Sequence, residues 1–220
     1  MRPMTTADPT LELDWAEAAE QRLLDAALAL APARGWGGDL AARAAPRAGL
    51  SAGEALLVAP HGARDLAALL SRRHDAAALA ALAGVDPTTL KIRERITRGV
   101  EARLDAATVD GEAVRRWAGF LALPFNLPLA ARLVWESADA IWRWAGDTAV
   151  DENHYSKRAI LAAILVSTLA IRLNGGREAA STYLAARIAD VMAFETWKAT
   201  LKPVTLGADL AQALGRLRYG

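Results

Sequence analysis

The stretch W142-R-W-A-G-D-T-A-V-D-E-N-H-Y-S-K-R158 gathers the side chains of greatest chemical capacity in this 220-residue chain. Asp147, Asp151, Glu152 and His154 are of the types that ligate metals or move protons. Helical di-iron and zinc sites pair a glutamate with a histidine three or four residues on, and usually repeat the pair on a second helix. That pattern does not occur here, so no metal or other cofactor is expected. Asp151 reads as a helix N-cap and Glu152 as a first-turn acid favoured by the helix dipole. Trp144, Asp147, Asp151, Asn153, His154, Tyr155 and Arg158 together have the composition of a binding surface at a helix junction, not of a reaction centre. Tyr155 and Arg158, three apart, are expected to share one exposed face.

Elsewhere the chemistry is sparse. His61 and His74 stand alone in the sequence. No G-x-S-x-G, P-loop or G-x-G-x-x-G occurs, and the absence of cysteine excludes disulfides, thiolate metal sites and thiol catalysis. No enzyme is read from this sequence. A second cluster is apolar and surrounds Pro124 and Pro128. At helical spacing its residues read first as core. Prolines also splay helices, and splayed helices can leave an elongated apolar chamber for a hydrophobic small molecule. Trp117, Leu121, Leu123, Phe125, Leu133, Trp135, Trp142 and Ile164 are the candidate lining.

The motifs W-x-x-A-G-D and D-x-N-x-Y-x-x-R, with the segment LALPFNLP upstream, resemble the Coq-nine family of ubiquinone biosynthesis accessory proteins. Trp142, Ala145, Gly146, Asp147, Asp151, Asn153, Tyr155 and Arg158 carry the likeness, which is strongest over residues 86–175. At His154 the chain departs from mitochondrial members, which carry tryptophan there. The resemblance implies a fold like that of TetR-type repressors and an isoprenoid or quinone lipid in the chamber. It also implies the di-iron demethoxyubiquinone hydroxylase as partner, docked on the Trp144–Arg158 surface.

Composition sets the bounds. The length fits one all-helical domain or two small ones sharing a core. The net charge of +1 gives no global basic field for nucleic acid. Heavy alanine and arginine usage fits a GC-rich bacterial genome. The first ten residues lack the apolar core of a signal peptide. The run from Ala159 to Val166 is short for a bilayer span and reads as a buried helix. The expectation is a cytoplasmic protein, peripheral on the bacterial inner membrane.

Strand signals are nearly absent, and the fold class expected is all-α. Residues 1–13 are expected to be disordered. A three-helix unit follows over 14–62, with Asp14 and Ser51 as N-caps. A helical lipid-binding domain fills 63–203, and an amphipathic helix lies within 204–220. In the second domain, helices are expected over about Arg64–Ala83, from Asp86 to about Ala107, from Asp110 to Pro124, and over Pro128–Ala145, Glu152–Leu173 and Arg177–Leu201. A homodimer through the last two is an analogy with TetR-type folds.

The N-terminal unit resembles a helix-turn-helix, which reads DNA with basic and amide side chains on its second helix. Here that helix, S51-A-G-E-A-L-L-V58, has Glu54 as its one charge, so no specific nucleic acid is expected. A TetR-type regulator with a hydrophobic effector is the alternative function. In the terminal helix, Leu206, Leu210, Leu214 and Leu217 form one stripe, with Arg216 and Arg218 at its end. Such a stripe packs on a membrane or on the protein's own body. The family resemblance favours the membrane.

Overall fold

The computed structural model describes residues 9–147 and 152–200, with side chains over 15–147 and 154–193. Asp151 and the terminal stripe Leu206, Leu210, Leu214 and Leu217 lie outside the described residues, as does the side chain of Asn153. Every described regular element is a helix: α1 (Pro9–Arg34), α2 (Leu40–Ala44), α3 (Ala52–Val58), α4 (Ala63–Leu82), α5 (Ile92–Thr108), α6 (Glu112–Leu121), α7 (Leu127–Trp144) and α8 (Glu152–Thr200). The all-α expectation holds.

Local signals explain most boundaries. Ser51 and Glu54 form a reciprocal capping box at the start of α3. Pro128 lies in the first turn of α7, where a missing N–H costs nothing. Three boundaries differ from expectation. α1 begins at Pro9, so Asp14 is inside a helix and the segment from Pro9 is not without structure. Asp86 does cap a turn, accepting from the Thr88 N–H, but that turn is a 3-10 helix, Pro87–Thr89. Leu90 and Lys91 are then extended, and α5 starts afresh at Ile92. Asp110 does not open α6, whose cap is Gly111; its carboxylate serves His74 instead. The two helices expected over 152–201 are both present within the span labelled α8, parted at Gly176, where φ +82 and ψ −172 leave helical geometry.

Two apolar cores organise the bundle. One joins α1–α4, α6 and the start of α7 around Leu23, Leu24, Leu66, Leu70, Trp117 and Leu133. The other joins α5, the end of α7 and α8 around Val100, Ile141, Leu161 and Leu184. Leu169 touches both. Indole N–H groups tie elements across them: Trp36 donates to Ala63 O, Trp117 to Ala67 O and Trp142 to Lys157 O. Only one face of α8 is buried. Tyr155, Ala159, Ala163, Val166 and Ala170 form an uncharged outer face, so the expected fully buried helix is a half-buried one. By length and composition alone, His154–Ala193 would suffice to cross a membrane.

Candidate functional site

The corner between α7 and α8 is built from charge inward and aromatics outward. Gly146, at φ +87, ends α7 in the left-handed conformation that glycine adopts without penalty. The Gly146 and Asp147 N–H groups then reach back to Arg143 O and Trp142 O. Arg95 of α5 donates to Ala145 O at 2.7 Å, satisfying another carbonyl at the helix end. This turn sets the Asp147 side chain against α8.

Arg158 meets it there. Its guanidinium donates to Asp139 Oδ1 at 2.6 Å, Asp147 Oδ2 at 3.1 Å and His154 O at 3.2 Å. Lys157 donates to the other Asp147 oxygen at 2.8 Å and lies over the Trp142 ring at 5.4 Å. Burial opposes the charge on Asp147, but the hydrogen bonds from Lys157 and Arg158 outweigh it and hold its carboxyl below the ordinary range.

Arg158 is therefore not on the surface. It is 1% exposed, whereas Tyr155, one turn earlier, is 65% exposed. The expectation that the two share an accessible face is corrected. About 60° of rotation separates positions three apart on a helix, and the α7–α8 seam falls between them. What the corner does present is aromatic. Tyr155 packs on Trp135 with ring centroids 6.1 Å apart and on His154 at 5.2 Å. Trp144 is half-buried and packs against the second core.

The expected apolar chamber is not assembled. Trp117, Leu121 and Leu133 are packed in the first core and Ile164 in the second, while Trp142 packs against the second from the side. Leu123 and Phe125 point outward, 41% and 67% exposed, and Trp135 supports Tyr155. The proline bend turns α6 away from α7 by 87°, but side chains fill the angle. A groove of about 450 Å³ opens elsewhere, between α4 and α5. Ala77, Ala81, Leu82, Ala102, Ala106 and Val109 line it, together with Arg98, Glu101 and Asp105. Nothing in the hydrophobic pattern distinguishes these small residues from ordinary helix contacts, so sequence reasoning missed the groove.

A second buried polar group also escaped the sequence reading. His74, isolated in the sequence, holds Asp110 through Nε2 at 2.7 Å and meets the Trp117 ring edge-on. Next to it Arg103 pairs with Asp75 at 2.5 Å and donates to Ser71. In both a buried base meets a partly exposed carboxylate, and together they tie α4 to α5 and to the turn before α6. On α3, Glu54 is spent in the capping box, and the exposed large side chains are Leu56 and Leu57.

Residues 127–195 match the COQ9 family model. The chain is 30% identical over 194 residues to the Xenopus tropicalis protein named ubiquinone biosynthesis protein COQ9, mitochondrial, covering 82% of this chain and 60% of that one. It is 29% identical over 160 residues to the Homo sapiens protein of the same name, covering 69% and 50%. The corresponding Bos taurus protein is 28% identical over 185 residues, covering 80% and 58%. The chain thus spans 50–60% of the length of these relatives. The expected place at a bacterial inner membrane does not stand, because these relatives are named as mitochondrial proteins of animals.

Proposed function

The chain belongs to the COQ9 family, and from that premise we propose that it serves ubiquinone biosynthesis as a lipid-binding accessory protein that makes and breaks no bond itself. In this reading it carries an isoprenoid or quinone intermediate and presents it to the di-iron demethoxyubiquinone hydroxylase. The terminal helix, through Leu206, Leu210, Leu214 and Leu217, docks on the membrane. A second copy packs on the outer face of α8 beyond Tyr155, along Ala159, Ala163, Val166 and Ala170.

One observation carries the partner surface. Tyr155 stands exposed on a fixed base, its ring tilted against Trp135 and edge-on to His154, while the Arg158–Asp139–Asp147 cluster locks the helix beneath it. Rigid, amphipathic aromatic side chains on a scaffold that does not need them for packing are what interface hot spots are made of. The α4–α5 groove, whose lining is mostly small and apolar with three charged side chains among it, suits a lipid with a polar head better than the filled angle at the proline bend.

The test is a pull-down of the hydroxylase with Tyr155→Ala and with His154→Ala, each checked for its melting temperature, alongside mass spectrometry of co-purifying lipids. Tyr155→Ala should melt like the wild type and lose the hydroxylase, and quinone intermediates should co-purify with both. Full retention of the partner by Tyr155→Ala would remove this surface from the reading. The absence of any prenylated lipid would remove the lipid.

A further inference from the structure

The exposed side chains at the α6–α7 bend form a surface that neither the hydroxylase contact nor the lipid groove uses. Leu123, Phe125 and Leu127 are 41%, 67% and 53% exposed. Pro124 and Pro128 alternate with them and are exposed as well. Between them Asn126 is completely buried, and its side-chain amide donates to Phe120 O at 2.9 Å. The Asn126 N–H donates to Leu123 O at 2.8 Å. The tip is thus pinned from inside by a polar anchor while its large apolar side chains point outward. Ordinary burial would arrange it the other way round.

Its surroundings say what it fits. From Trp117 to Ala131 the chain carries no charge at all, and arginines stand on both sides: Arg115 and Arg116 on α6, Arg132 on α7. Arg116 and Arg132 have exposed side chains, held only by surface pairs to Glu112 at 3.2 Å and Glu136 at 3.7 Å. Such pairs contribute little and are readily exchanged for another anion. Arg116 lies five residues before the end of α6 and Arg132 five after the start of α7, about 8 Å back along either helix at 1.5 Å per residue. With the two helices turned 87° from each other, each axis is tilted about 45° when the tip points into a bilayer. This places the arginines about 5–6 Å above the tip, at the shallow end of the roughly 5–10 Å to which an interfacial segment sinks between headgroups and acyl chains. With the tip at the acyl boundary, both guanidiniums reach the phosphates. Arg115 is committed to Leu173 O and Asn174, closing the bundle behind the tip.

We propose that the Leu123–Phe125–Leu127 tip is a membrane-inserting wedge with an arginine collar, and that it takes an anionic lipid bilayer as its partner. This contact is separate from the terminal helix and does not rest on the lipid-presenting reading. Two contacts orient a protein on a membrane, whereas one alone leaves it free to swing about its anchor.

The chain has no cysteine, so a single one can be introduced and labelled. Full-length Phe125→Cys and, as control, Leu56→Cys would carry an environment-sensitive nitrobenzoxadiazole dye. Each would be mixed with vesicles of equal parts phosphatidylcholine and phosphatidylglycerol. Emission at position 125 should shift to the blue, and lipid spin-labelled in its acyl chain should quench it, with no change at position 56. Phe125→Asp combined with Leu127→Asp should lower vesicle co-sedimentation about a hundredfold at unchanged melting temperature, because each large apolar side chain kept in water forfeits about tenfold. Arg116→Gln with Arg132→Gln should also bind these vesicles more weakly, and undiminished binding would overturn the collar. A dye at 125 that does not respond overturns the wedge, whether or not the protein sediments. A response that appears without vesicles as protein concentration rises overturns it in favour of a second copy of the chain.

Discussion

Arg158 and Asp147 meet at 3.1 Å across the α7–α8 corner, and their side chains are 2% and 8% exposed. Asp139 completes the arrangement at 2.6 Å. In this seam Arg158 is a structural residue. Arg158→Ala removes the cation shared by the two carboxylates and leaves Asp139 with Arg143 at 2.7 Å and Asp147 with Lys157 at 2.8 Å, so the cost for a wholly uncompensated buried charge is an upper bound. Breaking a buried ion pair by removing one partner costs about 3–5 kcal/mol. Denaturant unfolding should show a clear loss within that bound for Arg158→Ala and little change for Tyr155→Ala. Equal stability of the two variants would mean that Arg158 is free to leave the seam.

His74 gives the fold a dependence on pH. Burial disfavours its charged form and lowers its pKa; the bond to Asp110 acts the other way, and Arg103 adds to the lowering. Nε2 faces Asp110, while the buried Nδ1 has no protein partner. A proton added at Nδ1 would be a buried donor with nothing to receive it. The folded state therefore binds this proton less readily than the unfolded one. Its contribution to stability is complete above the ordinary histidine value of 6.5 and declines as pH falls from there through the lowered folded value. Unfolding free energy measured down this range should fall for the wild type. His74→Gln should be less stable at neutral pH but should lack this part of the slope. An identical slope in both would show that His74 titrates normally.

Gly99 lets α5 approach α7. A Cβ built there would lie 2.5 Å from Cγ2 of Ile141, a buried, β-branched side chain with little rotamer freedom. On an open helix surface, Gly→Ala would gain about 1 kcal/mol from propensity. Here overpacking, typically about 1–3 kcal/mol, should reverse the sign. Gly99→Ala should destabilise the wild type and be neutral or stabilising in an Ile141→Ala background. A double-mutant cycle reads this difference, and a coupling near zero would mean that the helices shift apart without cost.

Which of these features could be read from the sequence depends on how far apart their partners lie. The α3 capping box is legible because Ser51 and Glu54 are three residues apart. The bend at Pro124–Pro128 is legible because proline acts on its own backbone. Arg158 is misread because its partners are 19 and 11 residues back on another helix and turn, and an arginine in a polar run otherwise belongs outside. The His74–Asp110 bond, 36 residues apart, has no local sign. The apolar bend shows the limit from the other side. Hydrophobicity marks Leu121, Leu123 and Phe125 alike, and only the 87° turn decides that Leu121 packs inward while the other two face out. The family motif marks the α7–α8 corner, but it does not separate Asp147 and Arg158, which are buried in the seam, from Tyr155, which is exposed.

The lipid reading can be tested by filling the α4–α5 groove. Ala106 lines it and is half-buried, so Ala106→Phe can place a ring in open space without displacing core. Leu133→Asp would be a poor probe, since Leu133 is 2% exposed in the first core and a carboxylate there would unfold the chain. Ala42→Phe, on the exposed face of α2, adds the same ring away from the groove and serves as control. Ala106→Phe should keep the wild-type melting temperature, because its ring gains apolar contact where it displaces none. Its co-purifying prenylated lipid, quantified by mass spectrometry, should fall by about tenfold or more, as expected when a bulky side chain occupies an apolar site. The control should retain its lipid. If Ala106→Phe carries as much lipid as the control, the tail lies elsewhere, and the groove is only the seam where two alanine-rich helices meet.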